Sequence, residues 1–273
     1  MFRIPFAKMH ASGNDFIVID NRNGRVTGDV PALVRKVCRR RFSVGADGLI
    51  LIENSSVADF RWHYFNLDGG EVEMCGNGSR CAARFAYLKG ICSRELKFET
   101  LAGIIKAEVG EGFVKVQLTR PMDFRPGLVV EVDGVKREAS FINTGVPHVV
   151  YFVEDLEGAD VLSVGSKTRY HDMFAPDGTN VNFVKMISNG ALAIRTYERG
   201  VEGETLACGT GATAAALVAG AKGLAGSPVR LVTRGGNVLT VHYGWDEGGF
   251  KEVFLEGDAV LVFQGEMEEG AIL

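Results

Sequence analysis

Two thiols carry the chemistry that this sequence offers. Cys75 opens the segment Cys-Gly-Asn-Gly and Cys208 opens Cys-Gly-Thr-Gly, and each segment runs into an alanine-rich stretch. A glycine-rich turn feeding a helix puts the sulfur at the helix N-terminus, where unpaired backbone N–H groups and the macrodipole favour a thiolate. The same N–H groups bind a carboxylate or a phosphate. The lysine of a P-loop is missing, since Gly78-Ser79-Arg80 and Gly211-Ala212-Thr213 stand where Gly-Lys-Ser/Thr would. Two such helix ends meeting at one small carboxylate, with a thiol on either side, suit inversion of the stereocentre next to that carboxylate. One group removes the proton from one face and the other returns a proton to the opposite face. A thiol of unperturbed pKa about 8.5 serves in both roles once its surroundings shift it. The helix-end donors stabilise the charge that develops on the carboxylate. This scheme calls for no metal and no cofactor, and no Gly-x-Gly-x-x-Gly follows a strand with an acidic residue placed for a ribose.

Two other chemistries fit the same residues. A thiol hydrolase or acyl transferase would use Cys208 as nucleophile, His148 as base and the loop amides as oxyanion donors, leaving Cys75 idle. A non-catalytic binder of small anions would need neither thiol. His148, which precedes an apolar strand, also reads as a hydrogen-bonded core histidine.

The elements that must position these loops come in two copies. A shift of 133 positions lays Tyr64 on Tyr197, Gly70-Glu71 on Gly203-Glu204, Cys75-Gly76 on Cys208-Gly209 and Lys89-Gly90 on Lys222-Gly223. The repeat sorts the cysteines: Cys81 falls on Ala214 and Cys92 on Ala225, so both read as small apolar fillers, as does Cys38 in the first helix. Glu71 and Glu204 coincide as well and read as braces of the two loops. Short apolar runs at residues 16–19, 49–52, 60–65, 113–118, 148–153 and 260–263 predict strands. Asp29 before Pro31, Leu33, Val34 and Val37 predicts a capped helix, and two further helices end at Lys89-Gly90 and Lys222-Gly223. The class is α+β, with two pseudo-symmetric β-rich domains and a boundary near residues 118–135. The two cysteine loops are expected to face each other across a pseudo-two-fold axis, in the interdomain cleft.

Composition bounds the rest. The chain has 273 residues with 35 glycines and only 7 prolines, a balance of tight turns that argues against disorder. Net charge is −4 without long single-sign runs, which argues against nucleic acid as a partner. No apolar stretch reaches the roughly 18 residues of a membrane helix. Five cysteines, an odd number without Cys-x-x-Cys, argue against a disulfide framework or a zinc finger. A cytoplasmic location is expected.

The chain resembles the diaminopimelate epimerases, cofactor-independent two-cysteine epimerases of lysine and peptidoglycan precursor synthesis. The resemblance rests on Gly13-Asn14-Asp15-Phe16, on residues 66–80 around Cys75, on Gly145-Val-Pro-His148 and Asn180-Val-Asn182-Phe, and on residues 197–211 around Cys208. It implies Cys75 and Cys208 as the acid/base pair, assisted by His148 and Glu198. It implies that the reacting carboxylate sits on Gly76, Asn77, Gly209 and Thr210, and that the distal end of the substrate meets Asn14, Asn66, Asn182 and Arg199. It also implies that each domain wraps a central helix. The N-terminal domain covers residues 1–120 and is joined by a returning C-terminal strand at about 258–273. The C-terminal domain covers residues 121–257. A homodimer without cofactor follows from the same resemblance, as does a small-molecule substrate. The sequence departs from the family at Val146, where asparagine is common, at Gly48, where glutamine is common, and at Gly70, where serine is common; a racemase of another amino acid on the same fold is the alternative.

Overall fold

The computed structural model describes residues 3–187 and 190–272, and the chain divides into two compact units. Residues 1, 2, 188, 189 and 273, which fall within the expected domain ranges, lie outside the described residues. Unit 1 comprises Met1–Val116 with Gly257–Leu273, and unit 2 comprises Gln117–Glu256.

Unit 1 contains β1 (Ile4–Ala11), β2 (Asn14–Asp20), α1 (Val30–Val37), β3 (Gly48–Glu53), β4 (Phe60–Asn66), β5 (Glu71–Val72), α2 (Gly76–Leu88), β6 (Glu95–Thr100), β7 (Gly103–Val109) and β8 (Val114–Gln117). Unit 2 contains β9 (Met122–Val132), β10 (Val135–Asn143), β11 (Pro147–Phe152), α3 (Val161–Arg169), β12 (Asn180–Met186), β13 (Leu192–Glu198), β14 (Gly203–Thr205), α4 (Gly209–Ala221), β15 (Val229–Val232), β16 (Val238–Asp246) and β17 (Gly249–Gly257). The chain then returns to unit 1 as β18 (Val260–Met267) and α5 (Glu269–Ile272).

Neighbours in unit 1 run β18, β1, β2, β3, β4, β6, β7, β8. In unit 2 they run β9, β10, β11, β12, β13, β15, β16, β17. Both series are antiparallel except at two joints: β2 with β3 and β4 with β6 are parallel, and so are β11 with β12 and β13 with β15. The last strand of the chain therefore fills in unit 1 the place that β9 fills in unit 2.

Each unit wraps its sheet around one helix. α4 is apolar all round, which suits a helix with no solvent face, and Gly211 through Ala219 are buried. α2 packs against β1, β2, β3, β7 and β18, and α4 against β10, β11, β12, β13, β15 and β16. Both stop as expected: the C-caps are Lys89 and Lys222, and Gly90 and Gly223 take φ of 66° and 69°. The outer face of each sheet is covered by α1 or α3. Val34 and Val37 of α1 pack with Ile17, Leu49, Leu51 and Phe65, while Val161 and Val164 of α3 pack with Val149, Val181, Phe183 and Tyr197. Asp29 caps α1 through Ala32 N, as its sequence predicts, at 2.9 Å.

Strand register corrects the repeat. Phe60 pairs with Phe98 and Tyr64 with Val72, while Leu192 pairs with Leu231 and Thr196 with Thr205. The partners Phe98 and Leu231, or Val72 and Thr205, obey the shift of 133 positions, but β4 and β13 themselves match at 132. The pair Phe65–Glu71 encloses five residues and its counterpart Tyr197–Glu204 encloses six, so the gapless register ends there. The structural counterpart of Tyr64 is Thr196, not Tyr197, and Tyr197 matches Phe65. With the same offset Phe16 matches His148 and Ile50 matches Asn182.

Candidate active site

In unit 1, Cys75 is the N-cap of α2 with extended backbone, and its Sγ accepts from Gly78 N at 3.4 Å. The next residues, Gly76 and Asn77, begin the helix, where backbone N–H groups have no intrahelical acceptor. Gly78 leaves room for Trp62: a Cβ there would lie 3.2 Å from the indole ring.

Behind the loop runs a chain of polar side chains. Arg80 is fully buried; its Nη2 donates to Asn77 Oδ1 at 2.9 Å and to Ser12 Oγ at 3.2 Å, and its Nε donates to the Asp258 carbonyl at 3.0 Å. Asn77 Nδ2 donates to Asn14 Oδ1 at 3.3 Å, and Asn14 Nδ2 donates to Asp47 Oδ2 at 2.7 Å. Beside them burial works to raise the Asp15 carboxyl, but hydrogen bonds from Arg40 and Lys8 overcome it and hold Asp15 down to about 2. Burial pulls the Arg80 guanidinium below its ordinary range, and the Cys75 sulfur is among the groups that offset this. Asn66 is exposed at the end of β4 and its Oδ1 accepts from Tyr64 OH at 2.7 Å. The Tyr64 ring also accounts for Gly48, where a Cβ would stand 2.6 Å from the ring and 2.5 Å from the Phe65 carbonyl.

In unit 2, Cys208 is the N-cap of α4, followed by Gly209 and Thr210. Its Sγ lies 3.5 Å from Thr210 Oγ1, and the Thr210 carbonyl accepts from Thr144 Oγ1 at 3.0 Å. The helix end alone would favour a thiolate, but burial dominates, the Glu198 carboxylate adds to it, and the thiol is pushed up to about 12. The expectation of a thiolate at this helix end is thus reversed for Cys208, because burial outweighs the helix end. Glu198, at the end of β13, is itself raised by burial.

His148 is fully buried and its Nδ1 lies 3.1 Å from Asn182 Nδ2. Burial, with a smaller effect from the Arg199 cation, pushes it down to about 3, so it is neutral. The two asparagines of β12 are occupied within the protein. Asn182 Nδ2 donates to the Val149 carbonyl at 2.9 Å and Oδ1 accepts from Thr196 Oγ1 at 3.0 Å. Asn180 Nδ2 donates to the Pro147 carbonyl at 2.9 Å, and its Oδ1 accepts from Arg199 N at 2.8 Å. Sequence reading sets Asn182 against the substrate; the structure sets it behind His148 with no exposed surface. The Arg199 guanidinium donates to the Asp177 carbonyl at 3.0 Å.

Within unit 1, then, Cys75, Asn77 and Asn14 share one polar network, with Asn66 at a strand end. Within unit 2, Cys208, Thr210 and Glu198 interact, and His148, Asn182, Asn180 and Arg199 form a second connected group. Glu204 holds Arg195 by two hydrogen bonds of 2.7 and 2.8 Å, and Glu71 lies 2.6 Å from His63 Nδ1, in line with a bracing role. Of the other thiols, Cys81 and Cys38 are buried, and burial raises Cys38 to about 12 and Cys92 to about 11. Sequence reasoning passed over Arg80, Asn180 and Thr196. Their signal was present: each is polar at a position that the local pattern reserves for the interior. Among the described residues no group of three or more His, Cys, Asp or Glu is placed to hold a metal ion, and no helix is long and apolar enough to cross a membrane.

Known proteins resemble this chain over nearly its whole length. A family model described as diaminopimelate epimerase matches residues 6–122 and 140–262. A protein named diaminopimelate epimerase from Aquifex aeolicus (strain VF5) is 51% identical, covering 97% of this chain and 98% of its own length. Another of that name, from Archaeoglobus fulgidus, is 45% identical over 92% of this chain and 95% of its own. Among solved structures, a Bacillus anthracis phenazine biosynthesis protein of the PhzF family superposes with TM-score 0.75 at 18% identity, covering 98% of this chain and 100% of its own. A hydroxyproline epimerase from Agrobacterium vitis superposes with TM-score 0.70 at 17% identity, covering 100% and 95%. These two likenesses speak for the fold.

Proposed function

The chain belongs to the diaminopimelate epimerase family, and on that premise we propose that it interconverts LL- and meso-diaminopimelate by proton transfer between two thiols. The observation that carries this reading is the matched placement of Cys75 and Cys208 as N-caps of the two central helices.

The chemistry follows from that placement. A thiolate takes the α-proton from one face of the carbon. The electron pair left behind delocalises into the carboxylate, whose growing charge is met by the N–H groups at Gly76, Asn77, Gly209 and Thr210. The opposite thiol then delivers its proton, and the two sulfurs exchange protonation states. In one direction Cys208, whose thiol is favoured by burial beside Glu198, gives the proton and Cys75 takes one. The reverse reaction starts from the opposite assignment. His148 and Glu198 assist the thiols, and Asn14, Asn66 and Arg199 receive the distal amino-carboxylate end. The enzyme works without pyridoxal phosphate, as a cytoplasmic homodimer supplying lysine and peptidoglycan precursors.

The test is incubation of the reduced protein with LL-diaminopimelate in D2O, following the α-proton by NMR. Inversion with deuterium uptake is expected. Exchange into another amino acid in place of diaminopimelate would support the racemase alternative, and substantial activity in Cys75→Ala would count against the two-thiol reading and support the single-thiol one.

A further inference from the structure

The hydrogen bonds around His148 fix which of its nitrogens carries the proton. The Val149 carbonyl only accepts, so the Asn182 atom 2.9 Å from it is the amide nitrogen. The amide oxygen then faces Thr196 Oγ1 at 3.0 Å and takes that hydroxyl's proton. One amide hydrogen serves Val149, and the second lies towards His148 Nδ1 at 3.1 Å. A nitrogen that receives this hydrogen carries a lone pair. In a neutral imidazole the proton is then on Nε2. Nε2 is buried and has no hydrogen-bond partner among the described residues. An imidazolium would turn an N–H of the ring against the N–H of Asn182, and burial independently keeps the ring neutral.

Room for this arrangement comes from the second glycine of the Cys208 loop. A Cβ at Gly211 would stand 2.4 Å from Asn182 Oδ1 and 3.3 Å from Cys208 Sγ.

We infer that Asn182 is a positioning residue that locks His148 in the Nε2–H tautomer, so that the imidazole acts as a fixed hydrogen-bond donor to the anion formed in the reaction and not as a base. This deepens the proposed function and rests on it for the anion that His148 would meet. The lock itself rests only on the geometry. A ring whose Nε2 already bears hydrogen, and whose Nδ1 is engaged, has no lone pair to offer a thiol. Its contribution is the stabilisation of charge, delivered by a donor that needs no reorientation.

The experiment is ¹⁵N NMR of the full chain labelled at histidine, with the His148 signals identified by their loss in His148→Gln. At pH 7.5 the wild type is expected to show a protonated Nε2 and a lone-pair Nδ1. Asn182→Asp, whose carboxylate only accepts, is expected to move the proton to Nδ1. It should lower kcat by about 10- to 100-fold, with KM changed less than threefold. A wild type with Nδ1–H or an imidazolium overturns the inference, as does an Asn182→Asp protein that keeps the Nε2–H tautomer or full kcat. The wild-type spectrum decides the matter if that variant does not fold. Absence of α-proton exchange from diaminopimelate in the wild type would sink the proposed reaction while leaving the tautomer assignment standing.

Discussion

At one face of the unit 1 sheet stand Phe16, Ile50 and Tyr64; at the matching places in unit 2 stand His148, Asn182 and Thr196. The first trio packs: the Phe16 and Tyr64 rings meet edge to face at 5.7 Å, and Ile50 lies under Gly78. The second trio hydrogen-bonds, and Asn182 lies under Gly211. The helices differ in the opposite sense. Unit 1 buries the Arg80 cation in α2, where unit 2 has Thr213, whose hydroxyl only closes back onto the Gly209 carbonyl at 2.9 Å. The two halves thus share a scaffold and a cysteine cap while dividing the polar chemistry between them. One half brings a cation through its helix, the other a neutral imidazole and a buried carboxyl group through its strands. Duplication conserves the frame that fixes the sulfur; the groups that decide whether the sulfur holds a proton are free to differ.

The strongest test of this division is removal of each thiol. Cys75→Ala and Cys208→Ala are each expected to lower kcat by about 10²- to 10⁴-fold, measured with both stereoisomers. A variant retaining more than a tenth of wild-type turnover would remove its half from the proton path.

Arg80→Met comes next. It leaves Asn77 Oδ1 and the Asp258 carbonyl without their buried donor, and is expected to cost about 3 kcal/mol in urea denaturation. In a Cys208→Ala background it should also slow alkylation of Cys75 by iodoacetamide about tenfold. An unchanged rate would show that the cation is structural only.

Acid should find unit 2 first. His148 is held at about 3 in the native chain against 6.5 for the free side chain. Its folded-state pKa is depressed, so its neutral burial contributes stability that is complete above pH 6.5 and is lost as the pH falls towards 3. Lowering the pH from 7 to 4.5 is expected to cost on the order of 1–3 kcal/mol through this residue. Urea midpoints of His148→Gln should therefore change less over that interval than those of the wild type. Glu198 works in the other direction, since its raised carboxyl contributes most at low pH and less as the pH climbs past its ordinary value.

The smallest effect contrasts the two loop glycines. At Gly211 a methyl would be 2.4 Å from Asn182 Oδ1, whereas at Gly78 its nearest neighbour is the Trp62 ring at 3.2 Å. Gly211→Ala is expected to destabilise by about 1–3 kcal/mol and Gly78→Ala by less, read from thermal midpoints. The reverse order would mean that the polar side of unit 2 yields more easily than the aromatic side of unit 1.

The twin architecture was legible because alternation and helix stops are local signals. Leu49 to Ile52, and Lys89-Gly90 with Lys222-Gly223, mark their elements without help from distant residues. The repeat was legible beyond Gly70, but a match of residue type placed Tyr64 on Tyr197. Only cross-strand pairing shows that the polar Thr196 holds that place. α3 gave no helical signal because Val161, Val164 and Thr168 are β-branched and Gly165 interrupts it. The glycine is required there because a Cβ would sit 2.6 Å from Tyr197 Cβ. The loop motifs pointed to both cysteines, yet the protonation of Cys208 depends on burial, which spacing does not report. Asn182 shows the same limit. Its motif marks it as polar and interior, while its partners, Val149 and Thr196, are known only once β11, β12 and β13 lie side by side.

The closing strand has a consequence for the order of folding. Unit 2 is one unbroken stretch, residues 117–256, and its sheet needs no segment from outside that stretch. Unit 1, begun first, must wait for Val260–Met267 to seal the open edge of β1 and for Asp258 to give Arg80 its carbonyl acceptor. A chain cut between Gly257 and Val260 would therefore keep a whole second unit and an unsealed first one, its bare β1 edge open to self-association and to proteolysis.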